Sequence, residues 1–409
     1  MKALVLCGGL PQIALIKELK SRGITTILAD MNEKVLARQY ADKFYPVSVL
    51  DKEAVKQLAI DEKVDYILTV CADQVLEIVA EVAEELGLPW YIDAETAHNV
   101  SKKSYMKDIF WKNGVPTSKY VIMGELDEEK LVGLSYPLIV KPVDAYSSRG
   151  VKRVDTPEEL KGAFENAKEI SRTKTAIVEE FITGDEITVD VYVEGGIAKV
   201  LCMSNIYKIG EAGKFIINRS RIPADTTPDI EGQIKETVQK IADAFGLVDT
   251  PMLVQLISDG KRISVVEFCA RTGGGIKFLM IKKSSGFDVV KAVVDLTLGE
   301  KPHVEKINMP KEVTINEFVY CHEGKISSLE GFDSLVEDGI AAECTVFNPA
   351  RTVYGEIRGS GDRLAYFSIV DDNLERLMKK HKMANERIHA YTEDGVDIVR
   401  HDLIEKFKG

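Results

Sequence analysis

The chain has 409 residues, 45% of them hydrophobic and 29% charged, with a formal net charge of −12. That length provides for two to four lobes with real cores, and the composition is ordinary for a globular protein. Lysine and arginine are spread along the chain and form no block, so a nucleic-acid backbone is excluded as the expected partner, because affinity there comes from clustered cations.

An acidic protein that binds polyphosphate must gather its cations inside one site. No apolar stretch is long enough to span a bilayer, so no membrane partner is expected. The opening MKALVLCGGLPQ is a short apolar run broken by Gly8, Gly9 and Pro11, which makes it a poor signal peptide. Six cysteines stand singly among apolar neighbours, with no metal-ligand spacing. They read as buried reduced thiols, which suits a cytoplasmic setting.

In chain order, KALVLCGG predicts a buried strand running into a glycine turn. A helix is expected over 11–22, a strand at TTILAD, a short strand at FYPVSV and a helix over 53–61. A strand at DYILTV, a helix over 75–86 and the apolar stretch 88–92 follow. Continuous apolar strands between amphipathic helices predict a parallel sheet covered on both faces. A helix over 102–113 should stop at Gly114-Val115-Pro116. The strands YPLIVKPV, GVKRV and TAIVEEFI, with a helix over 158–170, form a compact segment at about 115–182. EITVDVYVEGGIAKVLCMSNIYK is a hairpin turning at Gly195-Gly196. After a helix over 230–245, MLVQLISDGKRISVVEF turns at Asp259-Gly260, and the tail from 301 alternates strands and a helix. The fold class is therefore α/β, with α+β character in the large lobe. The expected units are 1–101, 102–300 with a lid at about 115–182, and a tail 301–409 packed on the core.

Four segments carry chemistry. CGGLPQ follows a strand and opens a helix, but it lacks the later glycine of a dinucleotide fingerprint and reads first as a tight turn. Lys141 ends the strand YPLIVKPV, and the small-residue loop DAYSSRG follows with Ser147, Ser148, Arg149 and Gly150. Backbone N–H groups of such a loop can approach a polyphosphate while the lysine supplies a point charge. The alternative is an ordinary hairpin, although a lysine inside an apolar strand is seldom without a partner. In AIVEEFITGDEITVDV the backbone can read a purine edge while Glu186 accepts from ribose hydroxyls; the alternative is a solvated acidic turn. Finally, Gln255 and Glu267 sit on paired strands ahead of CARTGGG. A carboxylate entering a buried strand needs a cation or hydrogen-bond donors. With Arg271 and the turn Gly273, Gly274 and Gly275, it makes a plausible magnesium–phosphate site; the alternative is a structural Glu267–Arg271 pair.

Taken in order, SKKSYMKDIFWKNGVPTSKY, YPLIVKPVDAYSSRGV, AIVEEFITGDEITVDV and VQLISDGKRISVVEFCARTGGG resemble the ATP-grasp superfamily of carboxylate–amine ligases. The likeness covers about residues 1–300 well and the tail more loosely. It implies an N-terminal parallel-sheet domain, a lid, and a large antiparallel lobe, with ATP and Mg2+ as cofactors. It implies that Lys103 and Lys141 hold the phosphates, with Lys102 and Lys107 as close rivals of Lys103. The loop 145–150 would close over the phosphates. Glu179, Glu180, Phe181 and Ile182 would form the adenine-reading strand, and Glu186 would take the ribose. Glu267 would hold magnesium, with Arg271 facing the transferred phosphate.

Gln255 and Cys269 depart from the usual glutamate and asparagine, so either one metal position is weakened or another group supplies it. Lys208, Arg219 and Arg221, in an expected loop over 204–223, are candidate substrate contacts, as is the second expected loop 271–285. Small-molecule carboxylate and amine substrates are the implied partners, and a homodimer is compatible. The rival readings are a bicarbonate-activating or carbamoyl-phosphate-type enzyme and a non-catalytic ATP-binding regulator.

Overall fold

The computed structural model describes residues 1–145, 149–210, 215–307, 311–347 and 351–405. Ser147 and Ser148 of the expected phosphate loop lie outside them. The chain opens with strands β1 (Lys2–Leu6), β2 (Thr25–Ala29), β3 (Lys43–Tyr45) and β4 (Tyr66–Leu68), interleaved with helices α1 (Leu10–Ser21), α2 (Lys52–Glu62) and α3 (Leu76–Leu86). All pairings are parallel, in the order β3-β2-β1-β4.

Two apolar layers explain the unbroken hydrophobic run of the central strand. Leu4 and Leu6 pack with Val55, Val79 and Val82 on one face. Ala3 and Val5 pack with Leu15, Ile16 and the distant Val293 on the other. α2 starts where the Asp51 carboxylate accepts the Ala54 N–H at 3.1 Å, an N-cap bond. The apolar stretch 88–92 adds no strand. Pro89 has no N–H for a ladder, and Trp90 and Tyr91 instead pack where the N-terminal cores meet the large sheet.

Helices α4 (Ala94–Ser101) and α5 (Lys103–Lys112) lead into a small lobe. It consists of β5 (Tyr120–Met123), β6 (Leu138–Pro142), β7 (Lys152–Val154), α6 (Pro157–Ile170) and β8 (Ala176–Glu180), with strand order β5-β8-β6-β7. Its core is its own: Leu138, Val140, Val154, Phe164 and Val178 cluster under α6.

The third sheet begins with β9 (Asp185–Glu194), β10 (Ile197–Lys208) and β11 (Ile217–Ile222), followed by α7 (Pro228–Ala244), β12 (Thr250–Ser258) and β13 (Ile263–Cys269). Helices α8 (Lys277–Ser285) and α9 (Val289–Thr297) come next. The tail adds β14 (Val313–Val319), β15 (Gly324–Glu330), α10 (Ser334–Glu337), β16 (Glu343–Val346), β17 (Val353–Tyr354), β18 (Ala365–Asp371), α11 (Leu374–Arg387), β19 (His389–Thr392) and α12 (His401–Glu405).

The large sheet runs β13-β12-β9-β10-β11-β14-β18-β16 and is antiparallel throughout. Two expectations change here. The segment 204–223 is not a loop: its ends are the strands β10 and β11, and 277–285 is a helix. The boundary near 300 does not separate two sheets, because β11 pairs with β14 across it. Among the described residues no helix is long and apolar enough to cross a membrane.

Since the small lobe buries Phe164 in a core of its own, Phe164→Ala is expected to cost about 3–5 kcal/mol of local stability. Hydrogen exchange should speed up across β5–β8 and stay unchanged in β1–β4. Equal acceleration in both sheets would show that the two do not unfold separately.

Candidate active site

The small lobe faces the large sheet across a cleft of about 1300 Å³. Its walls come from α5, β6, the end of β8, β12 and β13. A second pocket of about 1170 Å³ continues past the end of β13 toward the glycine turn and the tail. The two share Asp73, Glu186, Lys208, Phe215, Gln255, Glu267, Phe268 and Cys269 as a common wall.

Glu179 is the buried pivot of the cleft. Lys141 Nζ donates to its Oε1 at 2.5 Å, and Lys107 Nζ lies 2.8 Å from its Oε2. Ser118 Oγ donates to the same oxygen at 2.7 Å. Burial opposes ionisation of this carboxyl, but the two lysines outweigh it and hold it well below the usual carboxylate range. Burial also pulls the Lys107 ammonium below its ordinary value; Glu179 opposes that shift and Lys141 adds to it. Glu179 was expected to belong to an adenine-reading strand. Its side chain instead holds the two lysines, and Glu180, Phe181 and Ile182 line the cleft beyond it. Glu180 accepts the Ser135 N–H at 3.1 Å, and the Arg153 guanidinium sits 4.5 Å from the Phe181 ring centre.

Of the three candidate lysines at the start of α5, Lys103 lines the cleft, Lys107 lies behind it and Lys102 is exposed. Lys103 Nζ donates to the Ala145 carbonyl at 3.1 Å and lies 3.3 Å from Glu267 Oε2. Burial pulls its ammonium down, and Glu267 more than offsets this, leaving it above its ordinary value. Conversely, burial pushes the Glu267 carboxyl up, while Lys103 and Lys141 bring it below the usual range. Glu267 and Gln255 are direct partners in the β12–β13 ladder, so both side chains leave the sheet on one face. One carboxylate and one amide oxygen fit a single Mg2+ completed by phosphate oxygens and water. Cys269 does not extend that set. Burial, with Asp73 close by, drives its thiol well above its ordinary value, so it carries no thiolate.

Gly150 follows the expected phosphate loop with φ +75°, and a Cβ there would meet Ile170 and Pro142 at 2.8 and 2.9 Å. Only glycine fits that return over β6. Glu186 and Lys208 both line the cleft, but as a mutual ion pair at 2.5 Å. Neither is a lone ribose acceptor or a lone anion contact.

In the second pocket, Arg271 does not pair with Glu267. Its guanidinium grips Asp73, just past β4, with Nε donating to Oδ1 at 2.5 Å. Burial would lower the Arg271 guanidinium, but Asp73 more than offsets it and raises it. Gly273, Gly274 and Gly275 line the same pocket. A Cβ on Gly273 would approach Lys277 Cγ to 2.8 Å, so this turn passes directly over the lysine. Lys277 Nζ donates to Thr188 Oγ1 at 2.6 Å and Ser204 Oγ at 2.5 Å, with Asp190 Oδ2 at 3.1 Å.

Arg219 and Arg221 are corrected. Along β11 it is Ser220, between them, that lines the pocket, and alternation turns its neighbours to the other face. Arg219 is buried against Glu317 at 2.5 Å and donates to the Leu403 and Ile404 carbonyls. Arg221 pairs with Asp225 at 3.2 Å.

Asp73 and Arg363 were not anticipated. Asp73 had a signal, as an acidic residue at the carboxyl end of a parallel strand, where ligands gather. Arg363 had none: it reaches the pocket from the tail, held by the Tyr320 hydroxyl and the Ile217 carbonyl at 3.0 and 3.1 Å.

Comparison with known proteins adds to this geometry. Residues 134–279 match the ATP-grasp domain family model and 18–90 the ATP-grasp N-terminal domain, together more than half the chain. The chain is 27% identical over 395 residues to a formate-dependent phosphoribosylglycinamide formyltransferase of Wolinella succinogenes, covering 95% of this chain and 97% of that one. It is 30% identical to a 3-methyl-D-ornithine–L-lysine ligase of Methanosarcina barkeri over 198 residues, 48% of each chain. The crystal structure of an L-amino acid ligase from Bacillus licheniformis superposes with a TM-score of 0.78 at 20% identity, over 96% of this chain and 98% of that one.

The Glu179 clamp makes a pH-dependent prediction. Glu179→Gln leaves two buried ammonium groups without a charge partner and is expected to cost about 3–5 kcal/mol. Because the folded carboxyl is depressed, its contribution is full above the ordinary value of 4.5 and falls away as pH drops from there through the lowered value. Urea unfolding of both proteins should therefore show a gap that is widest near neutrality and narrows in acid. A gap independent of pH would mean that Glu179 is not ionised in the fold.

Proposed function

The chain belongs to the ATP-grasp superfamily, and from that premise we propose that it is an ATP-dependent ligase joining a carboxylate to an amine, releasing ADP and phosphate. The observation that carries this reading is the common wall. A nucleotide-sized cleft and a second pocket meet at Glu267, Gln255 and Asp73, so a group bound in one is adjacent to a phosphate bound in the other. The relatives named for formyl transfer and for joining L-lysine to an amino acid fit a shared activation of a carboxylate.

In this reading a substrate carboxylate oxygen attacks the γ-phosphorus of ATP, and ADP leaves. The amine then attacks the acyl carbon of the acyl phosphate, loses a proton, and expels phosphate. Lys103 and Lys141 take the phosphate oxygens. Both are ammonium donors set in a largely buried site, where each bond to charge gains strength. Glu180, Phe181 and Ile182 form the purine wall, with Glu186 at the ribose once nucleotide competes for Lys208. Arg271, oriented by Asp73, and the backbone of Gly273, Gly274 and Gly275 meet charge developing on the transferred group. Glu267 and Gln255 would hold Mg2+, which supplies charge neutralisation at the phosphates. No side-chain nucleophile is required, since positioning and electrostatics carry phosphoryl transfer. Small-molecule substrates, a cytoplasmic setting and a homodimeric assembly belong to the same proposal.

ADP release measured with pooled amino acids and other carboxylates tests the class. Release that needs both an acid and an amine is expected. Release with bicarbonate alone would favour the carboxylating rival, and ATP binding without turnover would favour a regulator. For the site itself, Lys141→Ala should lower ATP affinity about 10- to 100-fold and leave the fold intact, because Glu179 keeps Lys107 and Ser118. Unchanged affinity by calorimetry would remove Lys141 from the site. Glu267→Gln should nearly abolish turnover, whereas Gln255→Glu should lower the Mg2+ concentration needed for half-maximal rate. A fully active Glu267→Gln enzyme at limiting Mg2+ would leave that carboxylate a purely structural partner of Lys103.

A further inference from the structure

On the C-terminal lobe, His389 at the start of β19, Asp397 in the following turn and His401 at the start of α12 converge. Their ligand atoms lie within 4.8 Å of one another, and none of the three lines the cleft or the second pocket. His389 Nδ1 stands 2.6 Å and His401 Nε2 3.0 Å from the same oxygen, Asp397 Oδ2.

The outer partners are already arranged. Asp397 Oδ1 accepts the Ala390 and Val399 N–H groups at 3.1 and 3.0 Å, which leaves Oδ2 alone to face the imidazoles. His401 Nδ1 is 2.9 Å from the carbonyl oxygen of the buried Asn385 on α11. That contact fixes the ring so that Nε2 points at the Asp397 carboxylate. The two imidazole nitrogens and the carboxylate oxygen therefore converge on one point. Carboxylate and imidazole ligands whose far atoms are tied by hydrogen bonds are the pattern that orients metal ligands.

We propose that His389, Asp397 and His401 bind one divalent transition-metal ion of the zinc class. Two imidazoles with one carboxylate select such ions over Mg2+ or Ca2+, which prefer all-oxygen shells. Bonds of about 2.0–2.2 Å in a tetrahedron separate ligand atoms by about 3.4 Å, so the observed 2.6 and 3.0 Å spacings open by less than an ångström on binding. All three side chains are partly exposed, between 23 and 30%, so water can take the fourth position. The ion would fasten α12 to β19. α12 in turn supplies the Leu403 and Ile404 carbonyls that receive Arg219, so the site is a structural staple, separate from the magnesium site of the cleft.

The test uses the full chain after dialysis against a chelator, titrated with Co2+ and then Zn2+. One ion per chain is expected, with visible absorption of tetrahedral Co2+ that Zn2+ abolishes and excess Mg2+ does not. The thermal midpoint should rise with metal. His389→Gln and His401→Gln should each weaken Co2+ binding at least ~100-fold, and Asn385→Ala about 10-fold. A wild-type spectrum of hydrated octahedral Co2+ alone would overturn the proposal without any variant having to fold. Unchanged affinity in both histidine variants would mean an adventitious ion only.

Discussion

A cation taken out of water needs a counter-charge, and this constraint governs how the N-terminal sheet, the small lobe and the large sheet meet. Lys141 of the small lobe and Lys107 of α5 share Glu179. Lys103 of α5 answers Glu267 on the large sheet. Arg271, just beyond that sheet, answers Asp73 of the N-terminal unit. Each pair joins parts of the chain that are distant in sequence, and together they draw the walls of the cleft into register. A protein with net charge −12 thus gathers several cations around one cleft while keeping each compensated by a carboxylate.

That compensation bears on how a nucleotide would enter. Lys103 and Lys208 sit on carboxylates facing the cleft, Glu267 and Glu186, and a triphosphate with its metal would replace those partners with better ones. Lys141 is different: its carboxylate is buried and shared with Lys107, so it stays oriented with or without ligand. On the proposed function the cleft would combine one preset cation with others that change partner, so that binding energy would be spent on reorganisation as well as on affinity.

Local pattern carried much of this into view. Gln255 and Glu267 flank a turn at Asp259-Gly260, but regular alternation from that turn would set Gln255 opposite Val266, and a bulge between Gln255 and Leu256 is what brings it opposite Glu267. Lys141 stood out as a charge in an apolar strand. The parallel sheet was written in runs such as ALVL, because strands covered on both faces lose their alternation. What stayed hidden depends on contacts that no window of sequence contains. Arg271 and Asp73 are 198 residues apart, and Arg219 finds Glu317 on a strand 98 residues further on. Reading 204–223 as a loop concealed the period of two that turns Ser220 toward the pocket and both neighbouring arginines away. Glu179 was placed by its strand, but its role depended on two lysines from other elements.

The pairing of β11 with β14 reaches further than the site. It commits the segment after residue 300 to the same hydrogen-bonded sheet as the strands that line the cleft, and that segment also brings Phe318, Ser360 and Arg363 to the second pocket. A chain cut there would expose the edge of β11 as an open template for intermolecular pairing. Recombination among relatives is constrained in the same way. The tail cannot be exchanged as a bead on a string, because a graft must restore backbone register and pocket lining at once. Change at the second pocket is therefore accommodated more readily by point substitutions on a fixed ladder than by exchange of the tail.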